Sequence, residues 1–187
     1  FFLYVPYPAV HLPVKEPQKW LDRVPATITG DVPRQYAACI AHLDDAVGRI
    51  VRAVDESGKG GKTLIVFTSD NGGSTSENND TKYPADDYPE GKLTGNNAPL
   101  RGKKGDLYEG GIRVPTLARW TGTIPAGSVC EVPVQITDWM PTFCGLAGFA
   151  EGESLKWDGV DAWPAITGQG GLPDRVIYSV APGFRAR

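Results

Sequence analysis

Three groups of polar residues in this 187-residue chain have types and spacings suited to chemistry. Asp70 and Asn71 stand side by side at the end of an apolar run and are followed by Gly72-Gly73. A carboxylate and an amide oxygen suit a hard cation such as Ca²⁺ or Mg²⁺. Two donors cannot complete the shell of six or more oxygens that Ca²⁺ takes, so further carboxylates must come from elsewhere. Asp-Asn-Gly is also ordinary turn chemistry, and on these residues alone the turn is the favoured reading. His11 lies in a loop punctuated by Pro6, Pro8 and Pro13. Imidazole titrates near neutral pH, so it suits a proton donor or an anion contact; taken alone, a structural hydrogen bond is the simpler role. Lys103 and Lys104 sit between Gly102 and Gly105, where a ligand can approach the backbone closely. A lysine there can neutralise a phosphate or sulfate oxygen as a point charge, or merely form a solvated basic loop, the favoured reading when the motif stands alone. Arg101, Glu109 and Arg113 offer a supporting ion network nearby.

The remaining candidates read as structural. His42 falls between apolar helix positions, Ile40 and Leu43. Adjacent carboxylates on a helix point in different directions, so Asp44 and Asp45 are not a catalytic pair; one is expected in solvent and the other holding a neighbouring loop. Asp138 near a helix start is a cap or dipole partner. Asp158 and Asp161 are turn residues, with Trp157 and Trp163 as packing anchors. No nucleophile motif of the Gly-x-Ser-x-Gly, Cys/His or nucleotide-loop kind is present.

The elements that must position these groups follow from periodicity. Tyr36, Ile40, Leu43, Val47, Ile50, Val51 and Val54 recur at helical spacing, predicting a long helix that starts near Pro33 and ends at Ser57–Gly61. Thr63–Thr68 is a continuous β-branched and aromatic run, predicting a strand covered on both faces of a mostly parallel sheet. Asp70 and Asn71 then fall at its carboxyl end. Residues 74–98 form a long polar loop suited to a binding surface. A strand near Val114–Trp120 follows, then a short helix from Thr137 or Asp138 to about Leu146, ended by Gly148.

With 41% hydrophobic and 22% charged residues, the chain has an ordinary globular composition. A net charge of -3 argues against a nucleic-acid or membrane-surface binder. No stretch of about 18 apolar residues predicts a transmembrane helix. The 23 Gly and 16 Pro fall between the periodic segments and indicate shaped loops. The three cysteines, Cys39, Cys130 and Cys144, lack metal-type spacing and read as buried small hydrophobes, with one disulfide left open. Phe1–Val5 reads as the middle of a buried strand and Val176–Val180 as another, so the chain is expected to be a fragment of a longer protein.

Taken in order, the blocks Phe1-Phe2-Leu3-Tyr4 with His11-Leu12-Pro13, Tyr36–Ile50, Leu64–Gly73, Leu100–Pro115 and Thr137–Gly148 resemble the carboxyl-terminal half of the formylglycine-dependent, arylsulfatase-like sulfatases of the alkaline phosphatase superfamily. The resemblance threads nearly the whole chain. It implies an α/β fold, a mostly parallel sheet flanked by helices, incomplete at both ends. Residues 1–150 would form the carboxyl-terminal part of the catalytic domain and 151–187 the start of a truncated subdomain. It implies that Asp70 and Asn71 are calcium ligands (Mg²⁺ less so), that His11 contacts the sulfate and leaving-group side, and that Lys104 rather than Lys103 binds a sulfate oxygen. A sulfated small molecule or carbohydrate is the implied substrate, and a secreted, periplasmic or lysosomal setting the implied location. The family's Cys/Ser-x-Pro-x-Arg nucleophile motif, with its formylglycine and a further pair of aspartates, is missing here, so this chain alone is expected to be inactive. A phosphodiesterase or phosphonate hydrolase of the same superfamily, and a nonenzymatic descendant, remain as alternatives.

Overall fold

The computed structural model describes residues 1–79, 87–93, 95–149 and 156–180. Parts of the 74–98 loop (80–86 and 94), the 150–155 segment and the tail beyond Val180 lie outside the described residues. The chain divides into two compact units, one containing Phe1–Gly58 and Phe67–Leu117, the other Lys59–Val66 and Ala118–Val180.

In the first unit, a short helix α1 (Gln18–Leu21) packs on the long helix α2 (Asp31–Glu56). Gly30, at φ 88°, turns the chain into α2, and Pro33 falls in its first turn, where a missing N–H costs nothing. Asp31 complements the positive end of the helix dipole. The helix stops where Ser57 Oγ donates to Val54 O (2.7 Å) and Gly58 takes φ 71°.

The core here is two small clusters. Val14, Val32, Cys39 and Leu93 form one; Trp20, Val24 and Ala38 form the other. The buried face of α2 is therefore Val32, Ala38 and Cys39, not the predicted stripe. Of that stripe, Ile40 is 47% exposed and the rest are half-buried, Tyr36 against the Val14 cluster.

The strands are β1 (Ile65–Thr68) and β2 (Thr116–Arg119), paired as a two-stranded sheet. The Thr68 and Thr116 hydroxyls meet at 2.9 Å, Ser69 N donates to Pro115 O and Gly72 N to Gly111 O. As one number rises its partner's falls, so the pair is antiparallel. The mostly parallel sheet expected from the sequence is thus not what the described residues form, and β1 is half-buried along its length rather than closed on both faces. Phe1–Val5 and Val176–Val180 are not strands either. Both runs are extended without strand pairing of the sheet kind, and Phe1 is 96% exposed.

The second unit centres on Asp138. A 3₁₀ turn (Ile136–Asp138) runs directly into α4 (Trp139–Leu146), and a later turn of helix, α5 (Trp163–Ile166), follows; α3 (Glu109–Ile112) belongs to the first unit. The fully buried Asp138 carboxylate accepts from Gln135 N (2.7 Å), Val160 N (3.0 Å) and both terminal nitrogens of Arg175. Thr142 Oγ donates to Asp138 O (2.7 Å) and accepts from Ala162 N (2.8 Å). Asp138 does not cap α4 as expected: its carboxylate closes a capping box with Gln135 at the 3₁₀ turn and ties distant segments to the start of α4. Trp163 packs against Trp120, with ring centroids 5.4 Å apart.

Candidate functional site

His11, Asp70, Asn71 and Lys104 lie on three loops of the first unit. The first loop follows β1. Asp70 is exposed, and its carboxylate has no hydrogen-bond partner among the described residues. Asn71 Nδ2 donates to Gly72 O (2.9 Å), and Ser69 Oγ donates to Asn71 O (3.0 Å). Asn71 Oδ1 has no hydrogen-bond partner among the described residues. The loop owes its shape to Gly72, where an added Cβ would lie 1.8 Å from Gly110 O. Only glycine permits that approach of two backbones.

The second loop carries His11. Its Nδ1 lies 2.7 Å from Leu12 O. A carbonyl can only accept, so Nδ1 holds the proton and Nε2 is the free ring nitrogen. That nitrogen faces the third loop, where the Lys104 ammonium donates to it at 3.2 Å. His11 and Lys104 are 93 positions apart in the chain.

The third loop is Leu100–Gly111. Lys103 N donates to Asp106 Oδ2 (3.0 Å) and Gly110 N to Arg101 O (2.7 Å), folding it back on α3. The Arg101 guanidinium lies 3.8 Å from the Tyr108 ring centroid, and Arg113 pairs with Glu109 at 3.5 Å on the surface. These two arginines support the loop and do not reach the lysines' ligands. The two lysines diverge: Lys104 turns to His11, whereas Lys103 Nζ donates to Ser76 Oγ.

Three residues that the sequence did not single out hold these loops together. Asn97 Oδ1 accepts from Gly73 N (2.8 Å), while its Nδ2 donates to Gly73 O (2.9 Å) and Gly102 O (3.2 Å). This one amide joins the Asp70 loop to the lysine loop. The fully buried Asn79 Oδ1 accepts from Val14 N (2.7 Å), and its Nδ2 donates to Val14 O (3.1 Å) and Pro89 O (3.0 Å), fixing the chain just after His11. Glu77 Oε2 lies 3.4 Å from Lys104 Nζ. Hydrogen bonding with Ser74, and then the Lys104 charge, hold the Glu77 carboxyl below the usual carboxylate range despite some desolvation. No motif flags any of the three.

The other polar candidates are structural. His42 Nδ1 meets Glu16 Oε2 at 2.8 Å and its ring stacks on Trp20, while Asp45 lies 3.9 Å from Arg23. The three cysteines are free. Cys39 is buried, but Cys130 is exposed and Cys144 half-buried, so the expectation of three buried thiols holds fully only for Cys39.

Among the described residues no group of three or more His, Cys, Asp or Glu side chains converges on one point. Asp70 and Asn71 offer a carboxylate and an amide oxygen, chemistry that a hard cation accepts, but too few donors by themselves to complete its shell. Cavities of about 390 Å³ beside Cys144 and Trp157, and about 560 Å³ beside Ala46 and Ile50, lie away from these residues. No helix among the described residues is long and apolar enough to cross a membrane.

The chain as a whole is similar to known proteins. A family model described as Sulfatase matches residues 1–149. Arylsulfatase J from Mus musculus is 34% identical over 89% of this chain and 25% of its own length. N-acetylgalactosamine-6-sulfatase from Sus scrofa is 34% identical over 95% of this chain and 30% of its own. Among solved structures, Ps i-CgsB in complex with k-i-k-neocarrahexaose is similar with a TM-score of 0.74 and 34% identity, covering 87% of this chain and 32% of that one. The PsFucS1 sulfatase from Pseudoalteromonas sp. gives a TM-score of 0.56 and 32% identity over 78% of this chain and 26% of that one. The chain thus spans about a quarter to a third of the proteins it matches. With the family match covering most of its length, this α/β chain belongs to the sulfatase family.

Proposed function

We propose that the full-length protein hydrolyses sulfate esters, of an aryl or carbohydrate alcohol, and that His11, Asp70, Asn71 and Lys104 are part of its active site. The observation that carries this reading is the 3.2 Å approach of Lys104 Nζ to His11 Nε2, beside a loop whose Asp70 carboxylate and Asn71 Oδ1 have no hydrogen-bond partner among the described residues. A tetrahedral anion needs positive charge on its peripheral oxygens and a donor for the oxygen that departs.

Lys104 supplies a fixed ammonium for a sulfate oxygen. His11, oriented by its Nδ1–H bond to Leu12 O, presents Nε2 at the same place. Once protonated there, it can donate to the leaving oxygen. Asp70 and Asn71 would hold a divalent cation, Ca²⁺ in preference to Mg²⁺. Bound, that ion would add positive charge beside the sulfuryl oxygens. Formylglycine as nucleophile, and the remaining metal ligands, would come from outside these 187 residues.

The same reading assigns residues 1–150 to the carboxyl-terminal part of the catalytic domain and 151–187 to the start of a truncated carboxyl-terminal subdomain. It places β1 in a mostly parallel sheet whose other strands lie in the rest of the protein. The k-i-k-neocarrahexaose named with Ps i-CgsB favours a sulfated carbohydrate as substrate class. A secreted, periplasmic or lysosomal setting goes with that class.

The test is metal-dependent turnover of an aryl sulfate by the full-length protein. Chelation should abolish it and Ca²⁺ restore it, and Asp70→Ala should lower kcat/KM by about a hundredfold or more. Wild-type turnover in the Asp70→Ala variant would refute the assignment.

A further inference from the structure

Lys104 meets a carboxylate as well as an imidazole, and a sulfate-binding lysine has no evident need of one. Glu77 is held there from several sides. Its carbonyl accepts from Leu93 N (2.9 Å), the next residue bridges to Lys92, and the one after is the buried Asn79 clamped to Val14. Ser76, one residue before it, accepts from Lys103 Nζ. The backbone bonds fix the segment independently of the ion pair, so the carboxylate is placed at the lysine rather than drawn to it from a loose loop.

We infer that Glu77 determines charge specificity at the anion seat formed by His11 and Lys104, favouring a singly charged sulfate monoester over a doubly charged phosphate monoester. The inference rests on the sulfate-seat reading above. Its physics is simple. A fixed negative charge beside the seat repels a bound anion in proportion to the anion's own charge, so a dianion suffers twice the penalty of a monoanion. Lys104 still supplies the attraction, and Glu77 offsets it more severely for the dianion. Two tetrahedral groups of nearly equal size are thereby separated by charge, which shape alone does poorly.

Methanesulfonate and dianionic methylphosphonate match these charges without being hydrolysed, and calorimetric titration of the full-length protein measures their affinities. Glu77→Gln should tighten methylphosphonate about tenfold and methanesulfonate about threefold, since doubling the ligand charge squares the factor. Glu77→Asp, which keeps the charge, should retain most of the wild-type preference. Equal gains for both anions in Glu77→Gln, or no gain, would overturn the charge filter. Lys104→Ala should weaken both anions. If it weakens neither, the seat itself is misassigned, a failure distinct from that of the filter.

Discussion

The Cys39 thiol lies among Val14, Val32 and Leu93, and burial, followed by the charge of Glu16, pushes its pKa up to about 12. It therefore stays a neutral, unreactive thiol until the pH nears that value, whereas Cys130 is open to solvent. Iodoacetamide at mildly alkaline pH should label Cys130 readily and Cys39 only after unfolding, as read by peptide mass spectrometry. Equal native labelling rates would contradict the burial. The site shows a similar division between what sequence conveys and what it omits. His11, Lys104, Asp70 and Asn71 could be picked out because their types announce their chemistry. Asn79 and Asn97 could not, because an asparagine in a polar loop looks the same whether it faces water or clamps a backbone 65 or 24 positions away.

Elements were legible where a local pattern fixes them. The β-branched run gave β1, the helical period gave α2, and Gly148 ended the segment containing α4. Which face of α2 is buried was not legible, since Val32, Ala38 and Cys39 gain their cover from segments distant in sequence. Close backbone packing makes its own demand. Gly72→Ala would drive a methyl group to within 1.8 Å of Gly110 O, so it should destabilise the first unit by about 3 kcal/mol or more in urea unfolding. A variant of wild-type stability would contradict that packing. In the second unit, burial raises the Asp138 pKa, but Arg175 and the backbone N–H groups of Gln135 and Val160 outweigh it and hold it low. A depressed carboxylate contributes stability that is complete above its unfolded pKa of about 4 and is lost as pH falls through the folded value. Asp138→Asn should therefore cost about 3 kcal/mol at neutral pH, leaving Arg175 without its partner, and should flatten the acid limb of the stability curve. An unchanged acid limb would show that this pair is not the source.

At the scale of the molecule, the buried clusters are small, and large apolar side chains are left in solvent. Leu3 is 66% exposed, Tyr4 75%, Val129 81% and Val180 88%. An apolar run shows a strand propensity but not whether a strand forms, and neither Phe1–Val5 nor Val176–Val180 is a strand here. Such surface promotes association. The 187-residue chain should self-associate at micromolar concentration in sedimentation velocity, and Leu3→Lys with Val5→Lys should reduce that association. A monomer unaffected by these changes would contradict the exposure. The central claim is narrower: two lysines adjacent in sequence serve different ends because one faces His11 and the other Ser76. It is tested most directly by kcat/KM toward an aryl sulfate in the full-length protein, with Lys104→Ala and Lys103→Ala measured side by side. Lys104→Ala should lose about a hundredfold or more and Lys103→Ala no more than about fivefold. Wild-type turnover in Lys104→Ala, or a larger loss in Lys103→Ala, would contradict the account.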